Sequence, residues 1–174
     1  MKVLLYTENE KMIGKSGLGK AIKHQMKALS YAGVPYTTNP SDDYDILHIN
    51  TYFPKSYRLA KKAKKRGKKI VYHAHSTEED YKNGFILANK TSKLFKKWLI
   101  KCYSLGDVIV TPTPYSKRLL KGYKGLTDKK IVDVSNGIEL DFFKEDKHLK
   151  NEFRKKYGYK DIDENTHKAN NNKE

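Results

Sequence analysis

The chain has 174 residues, which is enough for one domain with a substantial apolar core. Lysine and arginine total 36 against 20 aspartates and glutamates, and this net charge of +16 favours a polyanionic partner: nucleic acid, an anionic membrane or a phosphorylated ligand. The single cysteine, Cys102, excludes an internal disulfide and a cysteine-based metal site, as is typical of cytoplasmic proteins.

The predicted elements alternate between short apolar strands and helices. Up to residue 67 they are a strand at 2–6, a polar glycine-bearing loop at 7–19, a helix that runs from Ala21 and stops at Gly33, strands at 35–38 and 43–50, and a helix at 55–66. Beyond residue 67 they are a strand at 69–73, a loop at 75–84, a helix at 89–105, a strand at 107–111, a helix starting at Pro114, and a last strand that runs into the turn at Asn136-Gly137.

This order predicts an α/β fold, a doubly wound, Rossmann-like parallel sheet with helices on both faces. Such sheets bind ligands outside the carboxyl ends of their strands, so the polar loops after Tyr6, His73 and Thr111 should meet at one binding edge. We expect a single domain over residues 1–157. Residues 158–174 have almost no apolar side chains and are predicted to be a disordered tail.

The stretch GKSGLGK, Gly14 to Lys20, joins the first strand to the first helix. Glycines at such a position let backbone N–H groups approach a phosphate, and the helix N-terminus adds a favourable dipole. The spacing is neither that of a dinucleotide-binding fingerprint nor that of a Walker A loop. A flexible connection is therefore the alternative to a ligand-facing loop.

His73 and His75 lie in VYHAHSTEED, at the end of an apolar strand. Two residues apart on an extended chain, they should point to the same side. No third ligand is evident, so no metal site is predicted. His75 is the candidate functional histidine, although a histidine at a strand end is more often a packing or hydrogen-bonding residue. Glu78, Glu79 and Asp80 are expected to cap a turn, and their relation to the cleft is left open.

Two predicted helices carry basic faces. In the helix at 55–66, Arg58, Lys62 and Lys65 share one side. In NKTSKLFKKWLIKCYSLG, Lys93 and Lys97 belong to a basic stripe beside an apolar one. The residues of the apolar stripe are Leu94, Phe95, Trp98, Leu99 and Cys102.

A helix with this pattern can lie on a membrane interface or cover a core, and a basic face can also be merely solvated. We expect docking on an anionic membrane, with the apolar stripe mostly in the core. The expected membrane-binding residues are Arg58, Lys62, Lys65, Lys93, Lys97 and Trp98. Nucleic acid is disfavoured because the sequence has no RNP-like stretch, zinc-finger spacing or helix-turn-helix. No apolar run approaches the roughly 20 residues of a spanning helix, which predicts a soluble or peripheral protein.

Three stretches form a combination that is typical of one enzyme family. They are GKSGLGKAIKHQMKALSYAG, IVYHAHSTEED, and the pair DVIVTPTPYSKRLL and IVDVSNGIELDFF. Together they resemble the N-terminal half of retaining glycosyltransferases of family 4, which have the GT-B fold. Ser16 stands where that family has a first glycine, Lys20 where it has an arginine, and Glu139 where it has an aspartate. Within the family, the histidine stretch and the basic helices most resemble bacterial diacylglycerol glucosyltransferases.

The resemblance implies roles for particular residues. Gly17, with Ser16 and Lys20 beside it, would lie at the donor diphosphate through its backbone N–H, and His75 would contact the transferred sugar. The co-substrate would be a nucleotide sugar, UDP-glucose, with no cofactor and no metal. The acceptor would be a membrane lipid such as diacylglycerol, so the protein is expected to be cytoplasmic and peripheral on the inner face of the cell membrane.

The resemblance covers roughly residues 1–157. The second Rossmann-like domain of the family, which binds the nucleotide sugar, is expected to be absent, and the chain alone is expected to be inactive or nearly so. The alternative is a non-catalytic module of a split enzyme, which binds an anionic membrane or a protein partner.

Overall fold

The computed structural model describes residues 1–82, 88–138 and 146–158, without the side chains of Glu10 and Lys147. The chain divides into two compact units, Met1–Gly137 and Ile138–Glu174. The predicted domain boundary at residue 157 stays a prediction. The predicted disorder of the tail beyond Gly158, and the motif residue Glu139, lie outside the described residues.

The first unit contains a parallel sheet, six-stranded within the described residues. Its strands are β1 (Val3–Tyr6), β2 (Tyr36–Thr37), β3 (Ile46–Ile49), β4 (Lys69–His73), β5 (Val108–Thr111) and β6 (Lys130–Asp133). Their order across the sheet is β2-β1-β3-β4-β5-β6, and each neighbouring pair is parallel. The chain leaves β1 towards β2 on one side and resumes with β3 on the other, so β1 and β3 flank the topological switch point.

Helices connect the strands. Those of the first unit are α1 (Glu10–Ile13), α2 (Gly17–Tyr31), α3 (Pro54–Lys65), α4 (Glu78–Tyr81), α5 (Ala88–Tyr103) and α6 (Pro114–Lys121). In the second unit the described residues form α7 (Lys147–Tyr157). The side chain of Asp146 caps this helix by accepting the N–H groups of His148 and Leu149, and Gly158 ends it with a left-handed φ of 69°.

The alternation of side chains along the strands gives the sheet two apolar faces. Leu4 belongs to the larger core, where Tyr72 packs with Tyr103 of α5 and Leu120 of α6, all fully buried or nearly so. Its neighbour Leu5 points to the opposite face and packs against Ile13 and Ile22, the latter from α2. Each fully buried leucine or isoleucine contributes about 2 kcal/mol, so these faces hold the helices on the sheet.

The predicted α/β fold with a doubly wound parallel sheet is confirmed, and each predicted strand is present. Three helical details differ from the prediction. Helix α2 begins at Gly17, so the glycine stretch forms its first turn rather than a loop. Helices α1 and α4 lie within segments that were predicted as loops. Both are only four residues long, which is too short for a periodic signal.

Candidate functional site

The carboxyl ends of β3 and β4 carry polar side chains on one face of the sheet. His48 pairs in register with Val71, and side chains two residues further along each strand return to the same face. Asn50, directly after β3, and His73 and His75, at the end of β4 and just beyond it, therefore join His48 on the face covered by α2. The predicted common side of His73 and His75 is confirmed, because their rings stack with centroids 4.1 Å apart.

The three histidines form a continuous stack that Gln25 of α2 and Asn50 tie together. The rings of His48 and His73 are parallel to within 11°, with centroids 5.5 Å apart. The amide nitrogen of Gln25 donates to Oδ1 of Asn50 at 2.9 Å and lies 3.0 Å from Nδ1 of His73. Nε2 of His75 lies 3.1 Å from the same Oδ1 of Asn50. The sheet edge thus holds His75 in a fixed orientation.

Burial keeps these imidazoles neutral. Burial, with the neighbouring histidines as a smaller second cause, lowers the pKa of His48 to about 4 and that of His73 to about 2. Burial alone lowers the pKa of His75 to about 4. At neutral pH His75 can therefore accept or donate a hydrogen bond, but it does not act as a cation.

Several buried polar atoms at this edge have no hydrogen-bond partner among the described residues. They are Oγ1 of Thr7, Oε1 of Gln25, Nδ2 of Asn50, Nε2 of His73 and Oγ1 of Thr111. Buried polar groups normally have partners, so this concentration indicates a place where a polar ligand or water belongs. Within the described ranges, no group of three or more histidine, cysteine or acidic side chains could hold a metal ion.

The glycine stretch lies after β1, at the same edge of the sheet. Ser16 is the N-cap of α2, and its Oγ accepts the N–H of Gly19 at 3.3 Å and donates to the carbonyl of Ile13 at 2.6 Å. Its hydroxyl is thus already engaged in the helix cap. Gly17 and Lys20 are exposed, and Gly17 is the first residue of the helix, where backbone N–H groups point outward. No hydrogen bond between described residues joins this turn to the histidine stack.

A crevice of about 110 Å³ lies behind the first turn of α2. Its lining is mostly apolar, with the polar Thr7 and the basic Lys23. The lining residues are Thr7, Ile13, Gly14, Gly19, Ile22, Lys23 and Met26. The crevice adjoins the carboxyl end of β1, beside the switch point, where parallel α/β sheets bind their ligands.

The loop after β6 also meets α2. A Cβ atom added to Gly137 would lie 3.4 Å from the Cβ of His24, so the Asn136-Gly137 turn approaches this helix closely. Helix α2 therefore includes the end of the glycine stretch, and it contacts both the histidine stack and this turn.

Glu8 was not singled out by the sequence, although it is a buried carboxylate at the carboxyl end of β1. Its Oε2 accepts the backbone N–H of Ser56 at 2.8 Å and the hydroxyl of Ser56 at 3.2 Å. The N-cap of α3 is Phe53, whose aromatic side chain has no oxygen that could accept hydrogen bonds from these donors. Glu8 therefore caps α3 from the turn that follows β1, which is a structural role.

The three consecutive acidic residues are also structural. The side chains of Thr77 and Asp80 form a capping box at α4, which confirms the predicted turn cap. The carboxylate of Glu79 accepts the hydroxyl of Tyr123 at 2.5 Å. Burial opposes ionisation of Glu78, but hydrogen bonds from Lys96 and Lys82 outweigh it and lower its pKa. These contacts engage each of the three carboxylates.

The basic residues of α3 and α5 lie on adjacent exposed surfaces. The ring of Tyr57 on α3 packs against Trp98 on α5 with centroids 5.3 Å apart, and Lys61 and Lys101 lie over Tyr57. The side chains predicted to bind a membrane are exposed except for Trp98: Arg58, Lys62, Lys65, Lys93 and Lys97. Trp98 is half-buried, and its indole N–H donates to the carbonyl of Tyr52 at 2.7 Å.

The apolar stripe of α5 was predicted to lie mostly in the core. Leu99 and Cys102 are fully buried, and Phe95 and Trp98 pack against the core from partly buried positions. Leu94 is 71% exposed and is the member of the stripe that lies outside the core, so the stripe is mostly in the core as predicted. A position at the margin of a helical stripe cannot be assigned from spacing alone, because the width of the covered face depends on neighbouring elements. Among the described residues, no helix has the length and apolarity needed to cross a membrane.

The sequence that forms this edge of the sheet was compared with known protein families. A profile of glycosyltransferase family 4 matches residues 26–142, more than half of the chain. The chain belongs to glycosyltransferase family 4. Its fold is that of the N-terminal domain of a GT-B glycosyltransferase, which confirms the resemblance in the sequence.

One curated family 4 relative is similar over most of the chain. The processive diacylglycerol alpha-glucosyltransferase of Acholeplasma laidlawii is 38% identical over 157 residues, which are 90% of this chain and 46% of the relative. The chain therefore spans about half the length of the curated relative that it matches. No solved structure matches the chain.

Sequence analysis missed three members of this candidate site: Gln25, His48 and Asn50. Asn50 had a usable signal, since it is the last residue of the predicted strand DYDILHIN, at the carboxyl edge. His48 had a weaker sequence signal, because its position beside His73 follows only from the register of β3 and β4. Gln25 had no sequence signal, because the sequence of a helix does not show which of its polar side chains faces the end of a strand.

Proposed function

We propose that this chain is the acceptor-binding half of a retaining glycosyltransferase that transfers a hexose, glucose, from a nucleotide sugar to a membrane lipid such as diacylglycerol. The observation that carries the proposal is the 38% identity over 157 residues to a diacylglycerol glucosyltransferase. The neutral, oriented His75 at the carboxyl edge of the sheet supports it.

The proposed chemistry is electrostatic. Backbone N–H groups at the start of α2, with Gly17 foremost, stabilise the leaving diphosphate of UDP-glucose, and Lys20 adds positive charge next to them. His75 makes a hydrogen bond to the sugar that is being transferred. Ser16 contributes by fixing the helix cap, since its hydroxyl is already bonded to Ile13 and Gly19. The proposed reaction also requires a half that binds the nucleotide, in addition to this domain.

A chimera tests the transfer reaction. Residues 1–157 of this chain replace the aligned half of the Acholeplasma laidlawii relative, and transfer of labelled glucose from UDP-glucose to diacylglycerol in vesicles is measured. We expect glucosyldiacylglycerol to form, and His75→Ala to lower the rate by about 100-fold, as the loss of one oriented polar contact in a transition state does.

His148→Ala is the matched control, because His148 is 82% exposed on α7 and should leave the rate unchanged within a few-fold. A folded chimera that binds UDP-glucose but transfers no sugar to lipid would contradict the proposal. Robust turnover by the 174-residue chain alone would contradict the division of labour between the two halves.

The exposed lysines of α3 and α5 are proposed to dock the protein on anionic lipid. Wild-type protein should co-sediment with vesicles that contain phosphatidylglycerol and not with pure phosphatidylcholine vesicles. Changing Lys62, Lys65, Lys93 and Lys97 together to glutamate should weaken binding at least about 100-fold, since each basic side chain near an anionic surface contributes about 1 kcal/mol.

A control variant with the same change in net charge separates local docking from overall charge. It replaces with glutamate four exposed lysines that lie outside α3 and α5: Lys69, Lys121, Lys124 and Lys130. Equal losses in both variants would mean that only net charge matters. If the wild type prefers duplex DNA over anionic vesicles at fixed salt, the membrane assignment fails and nucleic acid replaces it. Vesicle binding without glucosyl transfer by the chimera would favour a non-catalytic membrane-binding module.

A further inference from the structure

The buried amide of Asn50 lies between α2 and the histidine stack. Asn50 is only 2% exposed, and its Oδ1 receives two hydrogen bonds. One comes from the side-chain nitrogen of Gln25 at 2.9 Å, and the other involves Nε2 of His75 at 3.1 Å. An amide oxygen has two lone pairs and no proton, so these two contacts saturate it as an acceptor.

The saturated oxygen determines where His75 carries its proton. Because Oδ1 of Asn50 can only accept, Nε2 of His75 must donate. A neutral imidazole has one N–H, so Nδ1 of His75 is left as an acceptor. None of the described residues forms a hydrogen bond with that Nδ1. It is therefore available to accept a hydrogen bond from a ligand hydroxyl at the sheet edge.

Gln25 holds Asn50 in the orientation that makes this possible. Its amide group has two protons, and it places nitrogen 2.9 Å from Oδ1 of Asn50 and 3.0 Å from Nδ1 of His73. A rotated Gln25 amide would put an oxygen against the oxygen of Asn50. The stacking of His73 on His75, with rings parallel to within 6°, prevents His75 from swinging away.

We infer that Asn50, held by Gln25, is a positioning residue for His75: it fixes the Nε2-protonated tautomer and leaves Nδ1 to accept a hydroxyl of the transferred sugar. The contact with sugar rests on the proposed function, whereas the tautomer rests on the orientation of the Asn50 and Gln25 amides, with nitrogen of Gln25 against Oδ1 of Asn50. The inference adds Asn50, which directly follows β3, and Gln25 of α2 to a site in which the sequence motif marks only His75.

The first test is the ring ¹⁵N spectrum of His75 in the full 174-residue chain at neutral pH, with the resonance assigned by His75→Gln. We expect the proton on Nε2 and a bare Nδ1. A proton on Nδ1 would overturn the inference, because Oδ1 of Asn50 could not then be accepting from Nε2.

Two substitutions then test whether Asn50 determines the tautomer and the pKa of His75. Asn50→Asp places a carboxylate against Nε2–H of His75, and the pKa of His75 should rise from about 4 by at least about one unit. Asn50→Ala removes the acceptor, and His75 should lose its single tautomer and give a mixture. If Asn50→Asp fails to fold, Asn50→Ala still decides the question. An unchanged tautomer in Asn50→Ala would show that Asn50 only fills space.

Thr111→Val is the matched control. Thr111 is fully buried at the same edge, and its Oγ1 has no partner among the described residues, so the replacement should leave the tautomer and the pKa of His75 unchanged. The tautomer and the transfer reaction are read out separately. A chimera that transfers no sugar, together with a fixed Nε2–H tautomer, would refute the proposed function and leave the positioning of His75 intact.

Discussion

Lowering the pH from 6.5 to 5 is expected to reduce the free energy of unfolding by roughly 3–5 kcal/mol. The cause is the stack of His48, His73 and His75, whose pKa values in the folded protein are about 4, 2 and 4. In the unfolded chain each histidine titrates near 6.5, so at pH 5 the unfolded state binds up to three more protons than the folded state.

The loss of stability with falling pH follows from these lowered pKa values. Above pH 6.5 neither state binds these protons, and the full stability is present. As the pH falls, only the unfolded state gains protons, so stability declines from pH 6.5 down towards the folded pKa values near 4. For His48 alone the full effect is about 3 kcal/mol, since one pKa unit corresponds to about 1.4 kcal/mol. The combined loss of roughly 3–5 kcal/mol by pH 5 is a large share of the 5–15 kcal/mol by which a typical domain is stable.

Urea unfolding at pH 7.5, 6.5, 5.5 and 5 measures this effect. Trp98, the single tryptophan, is a natural probe, because its indole N–H donates to the carbonyl of Tyr52 in the core. The lowered pKa values of Asp45, Glu78 and Asp133 affect stability mainly at lower pH, because unfolded carboxylates titrate near 4. The interval between pH 6.5 and 5 therefore reports the histidines.

His48→Phe keeps a ring in the stack and removes one titrating group, so the pH slope should fall by about 1.4 kcal/mol per pH unit. His148→Gln changes an exposed histidine on α7 and should leave the slope as it is. A flat profile for the wild type between pH 6.5 and 5 would mean that the histidines are charged or solvated in the folded protein.

The alternation of elements was predictable from sequence because each strand is short, apolar and separated from the next by a helix or a turn. KVLLY, DYDILHIN and KIVYH leave few alternatives to a parallel sheet. Short helices were not predictable in this way. Helix α4 exists because Thr77 and Asp80 cap each other and Tyr123, far along the chain, binds Glu78 and Glu79. Such contacts leave no periodic trace in a local sequence.

The candidate site was predictable only where a motif marks it. His75 was identified by its place at the end of a strand and by its resemblance to a family histidine. Its partners depend on the register between β3 and β4 and on the side of α2 that faces them, which are tertiary properties. For the basic surface, the sequence was sufficient to predict the charge on α3 and α5. It was not sufficient to identify the partner of this surface, which must be established by binding measurements.

Replacing Gly19 by alanine is expected to destabilise the protein by about 2–3 kcal/mol, although alanine favours helices over glycine by about 1 kcal/mol. A Cβ at this position would lie 2.6 Å from the carbonyl oxygens of Ile13 and Gly14. Both are backbone atoms, which cannot move aside as a flexible side chain can. Helices α1 and α2 would have to separate, and the crevice that Gly19 lines would change with them.

Gly17→Ala is the matched control on the same helix turn. Nothing lies within 4 Å of a Cβ at Gly17, so this change should leave the urea midpoint unchanged or raise it slightly. Urea unfolding followed by Trp98 fluorescence and far-UV circular dichroism compares the two variants. Equal stabilities would show that α1 does not press against α2. If Gly19→Ala alone unfolds at a lower urea concentration, the glycine stretch has a structural role here, because Gly19 lets α1 and α2 approach each other.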